Sequence, residues 1–265
     1  MTPTDVRGEP FAVLGMYPFP ALRPAWEQLF AAASDRVRAR GGAAPAGLRW
    51  DVDPHLSWLH AGLAVGMSCG WPLVTALREQ VRVVGTFAYR SERAPKPHLY
   101  RTVVVARRAC SLAELASSRA AVNADDSLSG NVSLLEVFGI ATTWPSEVVT
   151  TEAHVRSLEA VRTGGADVAS IDGMTWVYQQ RDEPSTVEGL HVVARGPWVP
   201  GLPLILPASA SNAELEEWRA AFTAVVTDPA FAGVMDELLI DAFVPLDLAD
   251  YDQALAGLRE RHPLE

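Results

Sequence analysis

The sequence predicts an α/β fold of two lobes, with the second lobe inserted into the first. Short β-rich runs alternate with helical patterns along most of the 265 residues, an order typical of mixed, mostly parallel sheets covered by helices. Two segments, the charged and proline-rich 91–97 and the proline-bounded 197–201, interrupt this alternation and are predicted to cross between lobes. We therefore assign 1–92 and 200–265 to the first lobe and 93–199 to the second.

Apolar runs and helix-start signals place the elements of the first lobe. The predicted strands are 11–17, 48–52, 63–68, 81–89 and 202–206. The predicted helices are 21–40, a short one capped by Asp53, one beginning at 69–72, and a helical C-terminal tail of 212–227, 229–242 and 248–260.

The second lobe shows the same alternation in shorter pieces. Its predicted strands are 98–107, 120–122, 147–150, 166–171 and 190–194. Its predicted helices are 111–115, 132–138, 152–162 and 173–180.

Composition excludes several classes of protein. The formal charge of −10 and the isoelectric point near 5.1 argue against nucleic acid as a partner, because nucleic acid binds basic surfaces. No apolar run approaches the roughly 20 residues that span a bilayer. Cys69 and Cys110 are too few for a disulfide framework or a metal cluster, and we expect two unpaired thiols.

The segment 121–131 is the most informative part of the chain. A short apolar strand runs into a turn of small polar residues, and a helical pattern follows. Backbone N–H groups at a helix start lack intrahelical partners, and the helix dipole makes that end partly positive. The hydroxyls of Ser127 and Ser129, with Gly130 permitting close approach, predict a pocket for an oxyanion held by neutral donors. The alternative interpretation is an ordinary serine N-cap.

A second helix start lies in the first lobe. Ser68, Cys69, Gly70 and Trp71 precede Pro72, and a proline in the first turn leaves amide donors free to face an anion. The alternative is a tight turn between strand and helix, with Trp71 packed between the lobes. Tyr17, at the end of the first predicted strand, is expected to line the same site or to be a half-buried aromatic.

Two further polar residues follow predicted strands. His154 lies near the start of a helix and can donate to an oxyanion, although a lone histidine also serves structural roles. Asp172 ends an apolar strand, a costly place for a charge unless something pairs with it. Its alternative role is the N-cap of the helix that begins near Gly173.

Five runs in a fixed order carry a family resemblance. They are 69–73 (CGWPL), 100–105 (YRTVVV), 121–130 (AVNADDSLSG), 154–158 (HVRSL) and 166–172 (ADVASID). In this order they resemble the phosphate/phosphite/phosphonate substrate-binding proteins of ABC importers, and the resemblance extends from about residue 17 to 207.

The resemblance implies a type II periplasmic-binding-protein fold whose two lobes close by a hinge on a ligand in the cleft between them. In such proteins the serine-rich turn and the histidine hold the phosphonate head group, which assigns that role to Ser127, Ser129, Gly130 and His154. Tyr100 and Asp172 then face the other end of the ligand. The full set of predicted ligand-binding residues is Tyr17, Ser68, Cys69, Gly70, Trp71, Tyr100, Ser127, Ser129, Gly130, Asn131, His154 and Asp172.

The resulting hypothesis is a monomeric solute-binding protein that captures a small oxyanion for an ABC permease, with no catalytic residue, cofactor or metal. Two alternatives stay open: a cytoplasmic enzyme on the same fold, like the chorismate dehydratases, and a cytoplasmic ligand sensor. No secretory signal is evident, because the first residues lack a basic n-region and the apolar stretch 11–16 is short. We expect a periplasmic or other extracytoplasmic location if a leader has been trimmed, and a cytoplasmic one otherwise.

Overall fold

A computed structural model describes residues 10–90 and 94–263. These residues form two compact units. Unit 1 comprises 10–90, 95–98 and 200–252, and unit 2 comprises residue 94 together with 99–199 and 253–263. The C-terminal residues 253–263 therefore belong to unit 2, whereas the sequence assigned them to the first lobe.

The strands are short and are spread along the whole chain. In chain order they are β1 (Phe11–Val13), β2 (Leu63–Met67), β3 (Val81–Tyr89), β4 (Leu99–Tyr100), β5 (Val103–Ala106), β6 (Ala120–Val122), β7 (Val148–Thr150), β8 (Val168–Ile171), β9 (His191–Arg195), β10 (Val199–Pro200), β11 (Pro203–Pro207) and β12 (Ile240–Val244).

The helices fill the intervals between strands. They are α1 (Arg23–Ala39), α2 (Pro54–Ser57), α3 (Gly70–Val74), α4 (Leu112–Leu115), α5 (Ser133–Phe138), α6 (His154–Thr163), α7 (Gly173–Asp182), α8 (Asn212–Thr227), α9 (Ala232–Leu238) and α10 (Leu248–Arg261). A π-helical turn, Leu128–Val132, leads directly into α5. None of the helices within 10–90 and 94–263 is long and apolar enough to cross a bilayer.

Unit 1 is built on a five-stranded mixed sheet in the order β1-β2-β11-β3-β12. β1 and β2 run parallel, whereas β11 is antiparallel to both of its neighbours and β12 is antiparallel to β3. The aromatic core centres on Phe87, whose ring contacts those of Trp26, Phe222 and Phe243 at centroid distances of 5.6–5.8 Å. These residues anchor α1 and α8 to the sheet.

Unit 2 is built on a second mixed sheet in the order β7-β6-β8-β5-β9. β6 runs parallel to both β7 and β8, and β5 is antiparallel to β8 and β9. Successive side chains on a strand point to opposite faces, so the sheet buries one cluster around Leu158 and Trp176 and another around Leu134 and Trp144. Because parallel strands end at the same edge, the residues that follow β6, β7 and β8 lie together.

Two predicted elements differ from the structure. The segment 229–242 was expected to be one helix, but α9 ends at Leu238 and β12 follows as an edge strand paired with β3. Leu239 adopts a left-handed backbone, φ +54°, which ends the helix without the glycine that usually marks such a position. The predicted strand 48–52 is reduced to a single bridge between Leu48 and Ala12.

The end of α10 is fastened to α5 by a charged cluster. Arg261 donates from Nε and Nη2 to the two carboxylate oxygens of Glu136, at 2.9 and 2.8 Å. The buried imidazole of His262 lies 3.0 Å from Glu136 Oε2 through Nε2 and 3.1 Å from the Ala141 carbonyl through Nδ1. These contacts explain why 253–263 pack with unit 2.

Glu136→Gln is expected to destabilise unit 2 by about 1–2 kcal/mol near neutral pH, because it removes charge-assisted hydrogen bonds that are partly exposed. The Arg261 guanidinium, opposed by burial, holds the pKa of Glu136 below its usual 4.5. A lowered folded-state pKa contributes stability above the unfolded pKa, and this contribution is lost as pH falls through the folded value. Thermal unfolding from pH 7 to 3 should therefore show the difference from wild type shrinking in acid.

Glu159→Gln is the matched control, because Glu159 pairs with Arg162 on the exposed face of one helix. We expect it to change the free energy of unfolding by less than about 0.5 kcal/mol at any pH. A Glu136→Gln variant as stable as this control at pH 7 would contradict a stabilising role for the cluster.

Candidate functional site

The turn after β6 is shaped by Ser127 and Gly130. Ser127 Oγ accepts a hydrogen bond from the Gly130 N–H at 2.9 Å, and the Ser127 carbonyl accepts from the N–H groups of Asn131 and Val132. The second of these bonds spans five residues and gives the π-helical turn, a feature that is frequent at functional sites. The serine N-cap expected as the alternative interpretation is therefore present.

Gly130 has no room for a side chain. A Cβ at this position would overlap Asn123 Oδ1 and come within 3.2 Å of Ser127 Oγ. Asn123 directly follows β6, and its Oδ1 is buried without a hydrogen-bond partner. Glycine is thus needed here because the amide of Asn123 lies against the backbone of the turn.

Ser129 joins this turn to the start of α6. Its Oγ lies 2.8 Å from Nε2 of His154 and 3.5 Å from Ser127 Oγ. Both serines are nearly buried, with 5–6% of their surface exposed. Two hydroxyls and an imidazole, none of them carrying a fixed charge, therefore meet at one point of unit 2.

The environment of His154 favours its neutral form. Burial lowers the pKa of His154 below its usual 6.5, and the Asp172 carboxylate and the Ser170 backbone offset this only in part. Nδ1 is buried and makes no hydrogen bond of normal geometry. A neutral imidazole carries a single N–H donor, whose position on Nδ1 or Nε2 depends on what the other nitrogen contacts.

The segment before His154 is strained. Glu152 has φ +64°, a backbone conformation that favours glycine, and holding another residue there costs free energy. Its carboxylate forms an exposed ion pair with Arg156 one turn later in α6. The negative charge of Glu152 is therefore partnered by Arg156 and directed to the surface.

Asp172 caps α7 from inside unit 2. Its Oδ1 accepts hydrogen bonds from the N–H groups of Met174 and Thr175, both at 2.9 Å, and only 3% of the residue is exposed. The capping role given as its alternative is thus observed. The Asp172 carboxylate also raises the pKa of His154, an effect that burial outweighs. Gly173, the next residue, packs against the ring of Tyr100, so Tyr100 and Asp172 are neighbours.

Asn131 has a structural contact in the same turn. Its Nδ2 donates to the Asp125 carbonyl at 2.7 Å and closes the loop between β6 and the π-helical turn. Unit 2 therefore brings together Ser127, Ser129, Gly130 and His154, with Asp172 and Tyr100 close by, and it uses Asn131 to hold the loop.

The remaining predicted residues lie in unit 1. Ser68 is fully buried directly after β2, and its Oγ has no hydrogen-bond partner. Cys69 is the N-cap residue of the five-residue helix α3, whose first residues are Gly70 and the buried Trp71. Tyr17 is also buried, with its ring edge-on to Tyr89 at 6.0 Å. Their role in binding stays a prediction.

The cysteines and the possible metal ligands can be stated for the described residues. Cys69 and Cys110 are free thiols, and within 10–90 and 94–263 no three His, Cys, Asp or Glu side chains are grouped as metal ligands would be. Sequence reasoning missed Asn123, Thr102, Ser133 and Ser170, polar residues with buried side-chain atoms that lack partners. The sequence showed only that each of these four polar residues lies at the end of a predicted strand or within an apolar run.

Two mixed sheets of this order and a helix-start site after a parallel strand define the class, a type II periplasmic-binding-protein fold. A model of the family described as "ABC transporter, phosphonate, periplasmic substrate-binding protein" matches residues 64–251. The chain belongs to this family, and the resemblance predicted from the sequence is confirmed. The family is one of non-catalytic substrate-binding proteins, which implies a small ligand, a permease partner and an extracytoplasmic location.

Solved structures agree on the fold. PhnD1 from Prochlorococcus marinus (MIT 9301), in complex with methylphosphonate, has a TM-score of 0.72 at 12% identity, covering 95% of this chain and 97% of its own. XAC2383 from Xanthomonas citri, bound to chloride, has a TM-score of 0.70 at 15% identity, covering 95% and 98%. The binding-protein component PA3383 of a Pseudomonas aeruginosa phosphonate transporter has 0.64 at 17%, covering 94% and 84%. A search of curated protein sequences gave no match.

Proposed function

We propose that this solute-binding protein captures a small tetrahedral oxyanion, of the phosphonate, phosphate or phosphite class, in unit 2. The observation that carries the proposal is the contact between Ser129 Oγ and His154 Nε2, made beside the Ser127 cap at the start of the π-helical turn. Methylphosphonate is the ligand in the PhnD1 structure, and we extend that ligand class to this chain.

The donors suit an anion that is bound without a compensating cation. By position, the N–H groups of Leu128 and Ser129 come before Asn131, the first residue whose N–H bonds to a carbonyl of the turn, so they are available at its positive end. Both serine hydroxyls can rotate to donate, and His154 can exchange its bond with Ser129 for one with the ligand. Hydrogen bonds to a charged acceptor are shorter and stronger than neutral ones.

The expected affinity is micromolar. Each hydrogen bond to a charged group contributes about 1.5–3 kcal/mol, so three or four provide a gross gain of roughly 5–12 kcal/mol. Ordering the ligand and the surrounding side chains costs part of this gain. What is left is compatible with about −8 kcal/mol, which corresponds to a Kd near 1 μM.

Calorimetric titration of the purified chain tests the ligand class. Methylphosphonate, phosphate, phosphite, sulfate and nitrate are the panel, and each that binds also raises the unfolding temperature by mass action. We expect saturable heats for at least one phosphorus oxyanion and none for nitrate. Binding of nitrate alone, or of none of the panel, would refute the proposed class.

We further propose that Asp172 sets the preference for a protonated oxyanion. A carboxylate repels a fully ionised oxygen but accepts a hydrogen bond from a protonated one, which phosphorus oxyanions carry near pH 7 and sulfate does not. Asp172→Asn keeps a good N-cap side chain for α7. We expect Asp172→Asn to lower the ratio of phosphonate affinity to sulfate affinity by about tenfold, because the protonated oxygen of the ligand would then donate to a neutral amide instead of a carboxylate.

The same titrations carried out on Asp172→Asn supply the measurement. An unchanged ratio, with both affinities intact, would show that Asp172 serves only as the helix cap. Asp182→Asn is the matched control, because Asp182 pairs with Arg181 near the other end of α7.

We also propose that the captured ligand is delivered to an ABC permease from outside the cytoplasm, with Tyr17 and 68–71 of unit 1 contributing when the lobes close by a hinge on the ligand. Family membership supports this proposal. A fusion to a reporter that is active only outside the cytoplasm tests the location of the protein in its native cell. A fusion that stays inactive would instead favour a cytoplasmic sensor.

A further inference from the structure

Among residues 10–90 and 94–263, three buried hydroxyl groups of unit 2 have no hydrogen-bond partner. They belong to Thr102, Ser133 and Ser170, and each residue has at most 1% of its surface exposed. A buried hydroxyl without a partner costs free energy, and native proteins satisfy the large majority of such groups with protein atoms or with ordered water. Three in one unit require an explanation.

Two of the hydroxyls lie on the same face of the sheet. Val104 of β5 pairs with Ser170 of β8, and Val103, the first residue of β5, pairs with Ile171, so Thr102 directly precedes β5, one position beyond that pair. Val104 packs in the cluster around Leu134 of α5. Alternate residues along a strand point to the same face of the sheet. Thr102 therefore points to the same face as Val104, toward α5. Ser170 also points to this face, because Val168, two residues earlier in β8, packs in the same cluster.

Ser133, which carries the third hydroxyl, lies next to Gly196 and Thr102. A Cβ on Gly196 would overlap Thr102 Oγ1 and lie 3.5 Å from the Ser133 Cβ. The Gly196 N–H also donates to the Thr102 carbonyl at 3.0 Å, which fixes the two backbones side by side. Ser133 and Thr102 are thus close neighbours beside Gly196, and Thr102 Oγ1 occupies the place that a side chain at Gly196 would take.

We propose that Thr102, Ser133 and Ser170 bind one buried water molecule in unit 2. Water fits these groups because each hydroxyl can donate and accept, and a buried water typically makes about three hydrogen bonds to otherwise unsatisfied groups. Ser133 is the first residue of α5, directly after the π-helical turn, and the Ser170 backbone faces His154. The water therefore ties β5 and β8 to the helix start that follows the Ser127–Ser129 turn.

Replacing Thr102 by valine tests the proposal, because the change keeps the shape and removes the hydroxyl. A hydroxyl bound to water is satisfied, so Thr102→Val should lower the thermal midpoint of the full chain by about 2–4 °C. Thr86→Val is the matched reference: Thr86 is a buried strand threonine whose Oγ1 donates to the Leu202 carbonyl at 2.9 Å. A midpoint that is unchanged or raised in Thr102→Val would show that the hydroxyl is dry and would overturn the proposal.

The double variant Thr102→Val/Ser170→Ala tests whether both hydroxyls bind the same water molecule. Once Thr102→Val has weakened the water site, Ser170→Ala should cost less than it does alone, because the two changes remove the same bridge. Midpoint shifts that add in full would show separate partners and would refute a shared site. A crystal structure at about 1.5 Å should show one ordered peak within about 3.2 Å of all three oxygens, and the lack of such a peak would exclude the water.

Discussion

Replacing Ser129 and His154 together by alanine should weaken phosphonate binding by about two to four orders of magnitude. The two side chains share a hydrogen bond of 2.8 Å in unit 2, and both are expected to turn toward the ligand. Each hydrogen bond to a charged acceptor contributes about 1.5–3 kcal/mol, so losing two removes about 3–6 kcal/mol. At about 1.4 kcal/mol per tenfold change, calorimetric titration should detect weak binding or none.

The fold should survive this double substitution. Neither side chain is part of the apolar clusters that flank the sheet, so we expect the thermal midpoint without ligand to fall by only a few degrees. Ser118→Ala with His191→Ala is the matched control, because it removes the same two residue types from unit 2 away from the site. If the control binds like wild type and the Ser129/His154 variant does too, the oxyanion site lies elsewhere.

Gly173→Ala should have a large destabilising effect on unit 2. A Cβ at this position would overlap the carbonyl oxygen of Arg101, a backbone atom that cannot rotate away. Overpacking of this kind costs about 1–3 kcal/mol. We expect a drop of several degrees in the thermal midpoint, together with a loss of selectivity as Asp172 is displaced.

Gly233→Ala provides the comparison for this prediction. Gly233 lies in α9, and a Cβ there would meet nothing within 4 Å. Alanine in an open helical position is favoured over glycine, so the midpoint should stay the same or rise slightly. If Gly173→Ala also leaves the thermal midpoint unchanged, the backbone at Arg101 and Gly173 can move apart enough to accommodate the added methyl group.

Much of the fold could be predicted from the sequence, because its signals are local. The polar turn after the strand 120–122 marked the start of a helix, and Asp172 marked the start of α7 as the cap it proved to be. These signals depend on hydrogen bonds between residues close in sequence, which a pattern of small polar residues reveals directly.

The failures in the fold came from residues whose conformation is set by distant contacts. β12 was taken for helix because Leu239 ends α9 in a left-handed conformation without a glycine, and because the strand is held by pairing with β3. The end of α10 joined unit 2 because Glu136, more than a hundred residues earlier, accepts from Arg261 and His262. No pattern of neighbouring residues in the sequence indicates either contact.

The residues of the candidate site divide in the same way, into those that local sequence signals reveal and those that depend on distant contacts. Ser127 and Gly130 were found from the sequence, but Asn123 was not, since its importance comes from lying against the glycine backbone. Ser170 lies in the apolar strand β8 and Thr102 directly precedes β5, so the two come to the same face of the sheet only when β5 and β8 pair. The sequence also gave no sign that burial lowers the pKa of His154.

The amino-acid order alone determined the family, the α/β class and the serine-capped turn after β6, because runs of neighbouring residues encode strand ends, helix starts and their caps. Tertiary structure decided that Ser129 meets His154, that Asp172 is buried in unit 2, and that the C-terminal helix ends in unit 2. Those outcomes depend on strand register and on burial, which bring together side chains that are far apart along the chain.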